Sequence, residues 1–463
     1  MWSLWNLGIQ DKLFNLIYLL NEKCNIIVKT PHGTTSSSSC PKIVKQGTVL
    51  SGNLCTSSTG ELNDNLNGTG ATIGNVNIKA SLFVDDTWTP NTNVLDSSVA
   101  HNQFVSFTKR KRLGLNDKCV ALGINLKKDD PKPTLMVNGN EIEFVKSTKC
   151  LGDMVSDERS NKILIEFKTS KGKAALVSLL ALCNETTFGI HYISLGLLLY
   201  NSMFMLSLLF NSEVWTRLSK TDINNLQLIQ LKTLKRVTHM PNSTTNCFMF
   251  LELGILPVIY EIHKRKLMFL YHIQSLAEHD PVKKVYYQQK KLPFERNWTT
   301  EVDEIISKYN IRVDDITEIS RNVWRNRVLS EILPKAFEDL QLENSAKSKT
   351  KHLNYESLRP QNYVSKLPGY LATFLMKIRS RTLTCRTNHC SSSSSDDKQC
   401  RLCHQAEENQ EHVVNCYAVN KDDEWLTLNE YYSTVNGNID QTKLKIILDR
   451  YNNFTRMVDE LGS

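Results

Sequence analysis

Four residues near the C-terminus restrict local folding more tightly than anything else in these 463 residues. Cys400, Cys403, His412 and Cys416 run as C-x2-C-x8-H-x3-C. Thiolates and imidazole nitrogens are the ligand types of a tetrahedral zinc site, and two cysteines spaced this way close into a knuckle. His412 and Cys416 stand at i and i+4, which puts both on one face of a short helix. Zn²⁺ bound there supplies folding energy to a segment too short to own a core. His404 is adjacent to Cys403, which disfavours it as a substitute ligand. Cys385, His389 and Cys390 read as free surface residues, because no matching pair follows them.

The charge is unevenly spread around this cluster. From residue 391 to 463 there are 13 acidic and 7 basic residues, a balance of −6 against +8 for the whole chain, so residues 1–390 carry +14. A nucleic-acid-binding surface therefore belongs to the body, and the acidic tail suits a structural or protein-contacting role. The run Ser391 to Ser395, followed by Asp396-Asp397, reads as a flexible linker. The 12 cysteines are scattered apart from the cluster, which favours a reducing compartment. No secretory leader pattern opens the chain. The expected location is intracellular, in nucleus or cytoplasm. The apolar stretch 188–210 contains His191, Asn201 and several serines, so it reads as a helix buried on all sides in preference to a membrane span.

Periodicity predicts a helix over 10–22, from Leu13, Phe14, Ile17 and Leu20, then strands at 24–30 and 42–45. Residues 60–74, crowded with Gly and Asn, read as a loop. Strand–turn–strand follows over 76–88, a helix over 102–111, and a hairpin over 135–145 with Asn138-Gly139 at its turn. Helices dominate from about 160 to 280. Ser219 and Asp222 form a capping-box pattern, and Pro257 suits the first turn of another helix.

Chemistry concentrates at Phe83-Val84-Asp85-Asp86, two carboxylates expected at the turn of the 76–88 segment. Taken alone, such a pair is more often a solvated surface turn. Nucleotidyl transfer, however, uses carboxylates in this setting to hold two Mg²⁺, which activate a 3′-hydroxyl and steady the leaving pyrophosphate. Three pieces surround the pair in a fixed order: Lys45-Gln46-Gly47-Thr48 upstream, then Leu115-Asn116-Asp117-Lys118, then Lys149-Cys150-Leu151-Gly152-Asp153.

This order and spacing resemble the non-LTR (LINE-type) retrotransposon reverse transcriptases. The likeness extends through Leu199-Tyr200-Asn201-Ser202, Leu209 to Ser212, Trp215 and Leu251-Glu252-Leu253-Gly254-Ile255-Leu256-Pro257, and covers nearly the whole chain. It implies that Gln46 and Gly47 approach template and nucleotide. It implies that Asp85 and Asp86 are catalytic magnesium ligands, with Phe83 beside them, and that Lys118 lies near the triphosphate. Lys149 and Gly152 belong to the strand pair that grips the primer. A CCHC knuckle after the thumb is common in these enzymes.

The implied fold is α+β: an incomplete fingers/palm sheet at 1–158 (motifs B to E), a helical thumb at 159–282, and a helical and basic linker region at 283–390. A unit at 391–463 then carries the Ser-rich linker, the zinc knuckle and a C-terminal helix. The implied partners are an RNA template and a DNA primer, with no membrane. The implied function is RNA-directed DNA polymerase, a nucleotidyltransferase of a transposable element. One departure qualifies it. The family needs a further carboxylate, in motif A, at the end of an apolar strand ahead of the 10–22 helix, so the chain is expected to begin after that strand. Upstream of Gln46 only Asp11 and Glu22 are acidic, both inside a helical pattern. The chain as it stands is therefore expected to be inactive, with a non-catalytic RNA or RNA–DNA hybrid binding module, or an inert element remnant, as the alternative. The basic runs 109–112, 264–266 and 347–351, and Tyr286, Tyr287 and Trp298 near Lys290, Lys291 and Arg296, are candidates for the groove.

Overall fold

In the computed structural model the chain is a mixed α+β protein. The described residues are 4–5, 8–22, 25–39, 51–84, 86–126, 129–158, 160–182, 192–292, 297–389, 398–419 and 440–462. Gln46, Gly47 and Asp85 therefore lie outside them, as does the strand expected at 42–45. The chain divides into two compact units, Met1–Ser160 with Ala277–Pro293, and Asn161–Leu276 with Phe294–Ser463.

Within the first unit the strands are two to four residues long and pair only two at a time among the described residues. Local turns explain the pairing. Asn138 and Gly139, both at positive φ, join Met136–Val137 to Asn140–Glu141, the hairpin that the Asn-Gly pair predicts. The 24–30 segment forms two short strands, not one. Asn25–Ile26 pairs with Ser38–Ser39, and Lys29–Thr30 pairs with Gly33–Thr34 across the Pro31-His32 turn. The 60–74 region also differs from a plain loop, since it holds helix Leu62–Asn65 and strand Ala71–Ile73. Leu62 and Leu66 supply the reason: both are fully buried against Phe107, with Leu82 and Phe104 packed at the edge.

That small core seats the acidic hairpin. Ser81–Phe83 pairs antiparallel with Asp86–Trp88, in the register Phe83↔Asp86. Asp86 is thus the first residue of the return strand and not a turn residue. Val84 turns the chain at φ 57°, an uncommon conformation for a β-branched residue. Helix Val94–Lys111 starts eight residues before the predicted 102 because Asn93 caps it, accepting from the Asp96 amide at 2.8 Å.

The second unit is helical. Helix Lys162–Leu182 packs on helix Lys220–Val237 and on Met205–Leu208, and Gly172 permits the second approach: a Cβ there would meet Leu208 Cδ1 at 2.9 Å. The capping box at Ser219 and Asp222 forms. Pro257 sits one position earlier than a first-turn proline, at the N-cap of helix Val258–Ser275. The described part of the 188–210 stretch, from Tyr192 on, is not buried on all sides. Tyr192–Leu199 leads into a wider π turn at Tyr200–Phe204 and then Met205–Leu208, with Leu198 and Leu206 exposed. No single described helix is long and apolar enough to cross a membrane.

A buried ion pair joins distant parts of this unit. Glu252 has no solvent exposure and takes Arg379 Nε at 2.6 Å, Tyr355 Oη at 2.7 Å and the Tyr363 hydroxyl. Gly254, at φ +62°, brings the chain so close to Pro360 that an added Cβ would lie 2.3 Å from its nitrogen. Removing one partner of a buried pair strands the other charge. Glu252→Ala is expected to lower the unfolding free energy of the second unit by about 3–5 kcal/mol. Urea denaturation measures it; a loss below about 1 kcal/mol, the size of an exposed pair, would contradict this role.

Candidate metal centre and acidic hairpin

The knuckle is built by backbone bonds before any side chain converges. The Cys400 amide donates to Ala406 O at 2.8 Å, and the His404 amide to Cys400 O at 3.0 Å, with His404 itself turned to φ 55°. The Gln405 amide points at Cys403 Sγ, 3.5 Å away. Asn409 then caps the one-turn helix Gln410–Val413, accepting from the His412 amide at 2.7 Å. Cys416 follows one turn later.

The four ligand atoms all lie within 4.8 Å of one another. Cys400 Sγ is 3.8 Å from Cys416 Sγ, and Cys403 Sγ is 3.3 Å from His412 Nε2. Zn–S and Zn–N bonds of ordinary length set at tetrahedral angles give edges of about 3.8 Å and about 3.5 Å. The donor set and its spacing therefore fit a metal ion such as zinc. The centre is enclosed: Cys400 and Cys416 are fully buried with Val413 and Phe454 around them. Phe454 comes from helix Gln441–Gly462, whose Leu444 and Ile447 are also buried. Tyr451 of the same helix accepts from the Thr384 amide at 3.2 Å and lies against Phe374.

Burial sets the protonation of the ligands. It pushes the Cys416 thiol up to about 12 and raises Cys400 as well. Cys403 ends below the ordinary thiol value: burial pulls it up, but the Gln405 amide and the neighbouring thiols outweigh that pull. Burial also lowers His412, so its imidazole is neutral at pH 7.

Sequence reasoning missed two residues here. Cys385 is not on the surface. It is 1% exposed and packs into the cluster, because residues 380–385 run inward from helix Gly369–Arg379. The side chain of His389 and all of Cys390 lie outside the described residues. Glu408 is fully buried and paired with Arg401. Neither has a local signal, since each is defined by partners brought in by folding.

At the acidic hairpin, Phe83 and Asp86 are both exposed. Cys55 Sγ, on helix Ser51–Thr59, donates to Val84 O at 3.1 Å and so fixes that helix against the turn. A second hairpin, Ser147–Cys150 with Asp153–Ser156, turns at Leu151 and Gly152, both at positive φ. It lies close to the first: burial, then the Asp86 and Asp153 carboxylates, raise the Cys150 thiol. Asp86 thus lies within electrostatic range of the strand pair that carries Lys149 and Gly152. Lys118 is exposed, in a loop tied to the 136–141 hairpin by Asn138 Nδ2, which donates to Leu115 O at 3.1 Å and Asp117 Oδ1 at 3.0 Å. No hydrogen bond or ion pair joins Lys118 to Asp86 among the described residues. The knuckle is the one group of three or more metal-type ligands among them, so a magnesium site has no further support here.

The basic runs are largely committed to the protein itself. Lys266 is buried on Glu301 at 3.1 Å, while Lys264 and Arg265 pair with Glu261. Lys111 pairs with Glu61 at 2.6 Å, Arg110 with Asn65, and Lys347 lies 3.9 Å from Glu343. Tyr286 is buried, and Trp298 Nε1 donates to Glu213 O at 2.7 Å. No protein-family model matches the chain, and no curated protein matches it.

The purified chain is expected to carry one zinc by native mass spectrometry and to lose it in Cys403→Ser. Protons on the cysteine ligands must leave on binding, those on Cys400 and Cys416 against a raised pKa, whereas His412 has none to lose above its lowered pKa. Apparent affinity should therefore rise from pH 6 to pH 8, by about tenfold per pH unit for each thiol proton released. A flat profile in a chelator competition would contradict thiolate ligation.

Proposed function

We propose that the chain is part of a non-LTR retrotransposon reverse transcriptase and that, as it stands, it binds nucleic acid without polymerising. In this reading the first unit is an incomplete fingers/palm and the helices from Lys162 onward form the thumb. Asp86, with Asp85, belongs to the site that would hold Mg²⁺, and the CCHC knuckle is a structural zinc site.

One observation carries most of the weight. An exposed carboxylate opens the return strand of a hairpin, beside a β-branched residue in a left-handed turn, and a second hairpin lies within electrostatic reach of it. Strain of that kind, roughly 1–3 kcal/mol, concentrates at functional turns. Helix Ser51–Thr59 against the turn is a further support. The proposed inactivity rests on the acidic residues ahead of Gln46 in these 463 residues, which are Asp11 and Glu22. Asp11 opens helix Asp11–Glu22 and does not end an apolar strand. Without a bridging ligand a two-metal centre loses transition-state stabilisation.

The non-catalytic reading is narrowed by the cations that are paired internally. Those left for phosphates include the exposed Lys118 and Lys149. Primer extension on an RNA template with Mg²⁺ is expected to give no product. Template-dependent synthesis that vanishes in Asp86→Ala would refute inactivity. Filter binding of an RNA–DNA hybrid is expected to weaken with salt, and Lys149→Ala to reduce the slope of log K against log salt by about 1. Absence of any hybrid binding would overturn the nucleic-acid reading.

A further inference from the structure

We infer that Glu408, which is not a ligand, is the positioning residue of the metal centre, joining its two halves to the segment that carries Cys385. The inference rests on the reading of Cys400, Cys403, His412 and Cys416 as a metal site.

Glu408 stands between the two ligand pairs in sequence, and its carboxylate is fully buried. One oxygen accepts from the Arg401 amide at 3.1 Å and from Arg401 Nε at 2.9 Å; the other accepts from Arg401 Nη2 at 2.6 Å and from the Arg386 amide at 3.1 Å. Arg401 stands between Cys400 and Cys403, so this fork grips the knuckle loop directly. The backbone of Glu408 is engaged on both sides. Its amide donates to Lys398 O at 2.8 Å, and its carbonyl accepts from the Thr387 amide at 3.1 Å and Thr387 Oγ1 at 3.2 Å. Arg386 Nη1 closes the ring by donating to Gln399 O at 3.1 Å. The next residue, Asn409, caps the helix that presents His412.

One residue therefore holds the first ligand pair through its side chain, and directs the second pair through its neighbour. A buried carboxylate with four donors is stable there only in this arrangement, because an unmatched charge would be expelled or protonated. Outer partners that fix ligand geometry typically change metal affinity by about 10–100-fold when removed. Glu408 makes its contacts to backbone and to Arg401, so its effect should fall on ligand placement and leave the ligand set unchanged.

The test uses the full chain, with zinc affinity measured by competition against a chromophoric chelator and ligand identity by the cobalt(II) absorption spectrum. Glu408→Gln keeps the size and removes the charge; Arg401→Met removes the fork from a partly exposed position. Both are expected to weaken zinc binding by about 10–100-fold, with cobalt band positions unchanged. Wild-type affinity in both variants overturns the inference, as does a cobalt spectrum that shows an altered ligand set. Should Glu408→Gln fail to fold, Arg401→Met decides by the same criterion. A wild-type chain that binds no zinc overturns the metal reading and this inference together, whereas wild-type binding with unaffected variants overturns this inference alone.

Discussion

The second unit depends on a charge that is kept out of water. Glu252 reaches its partners from three separate stretches: Tyr355, Tyr363 and Arg379. Burial of an unpaired carboxylate is among the most expensive events in folding, so the sites of those partners are constrained together. The phenols of Tyr355 and Tyr363 are pushed well above their ordinary range by burial and by the Glu252 charge, which keeps them as donors. Arg379 ends helix Gly369–Arg379, and the Gln361 amide donates to Glu252 O at 3.0 Å. The constraint reaches the metal centre through the same helix. Gln410, two residues before His412, donates from Nε2 to Ile378 O at 3.2 Å.

What could be read in advance was local. The Asn138-Gly139 hairpin, the Ser219–Asp222 capping box and the helix at 11–22 each follow from residues a few positions apart. The convergence of Cys400, Cys403, His412 and Cys416 follows from their spacing for the same reason. Glu408 and Glu252 carry no such mark, because their partners lie 7 to 127 positions away, and Cys385 packs against Cys400 and Phe454, 15 and 69 positions away. The π turn at Tyr200–Phe204 is equally silent: it is held by Gln230, which donates to Tyr200 Oη at 2.8 Å and to Leu256 O at 2.9 Å. The setting of Asp86 was legible only as a hairpin: the sequence suggests a turn residue, and Asp86 instead opens the return strand.

Lysine was the residue type most easily misjudged. Lys168 is buried and donates to Phe210 O at 2.9 Å amid the rings of Phe210 and Trp215. Lys235 spends all three donors on Asn242 O, Thr244 O and Asn246 Oδ1, which closes the loop after its helix. Burial lowers the pKa of Lys235 and Lys266. In a charge count these side chains look like a polyanion-binding surface, yet they serve as internal fasteners for carbonyl groups. The positive balance of the body thus overstates what is offered to an external phosphate.

Phe454 has a consequence for the chemistry of the thiols. It lies inside the cysteine cluster, on a helix from the end of the chain, beside Cys400 and Cys416, which have no exposure of their own, whereas Cys403 keeps 8%. Peroxide or an alkylating reagent should then reach Cys400 and Cys416 mainly while that helix is detached. The lifetime of the thiols under oxidative stress is then governed by how often the terminal helix opens, and less by their intrinsic nucleophilicity.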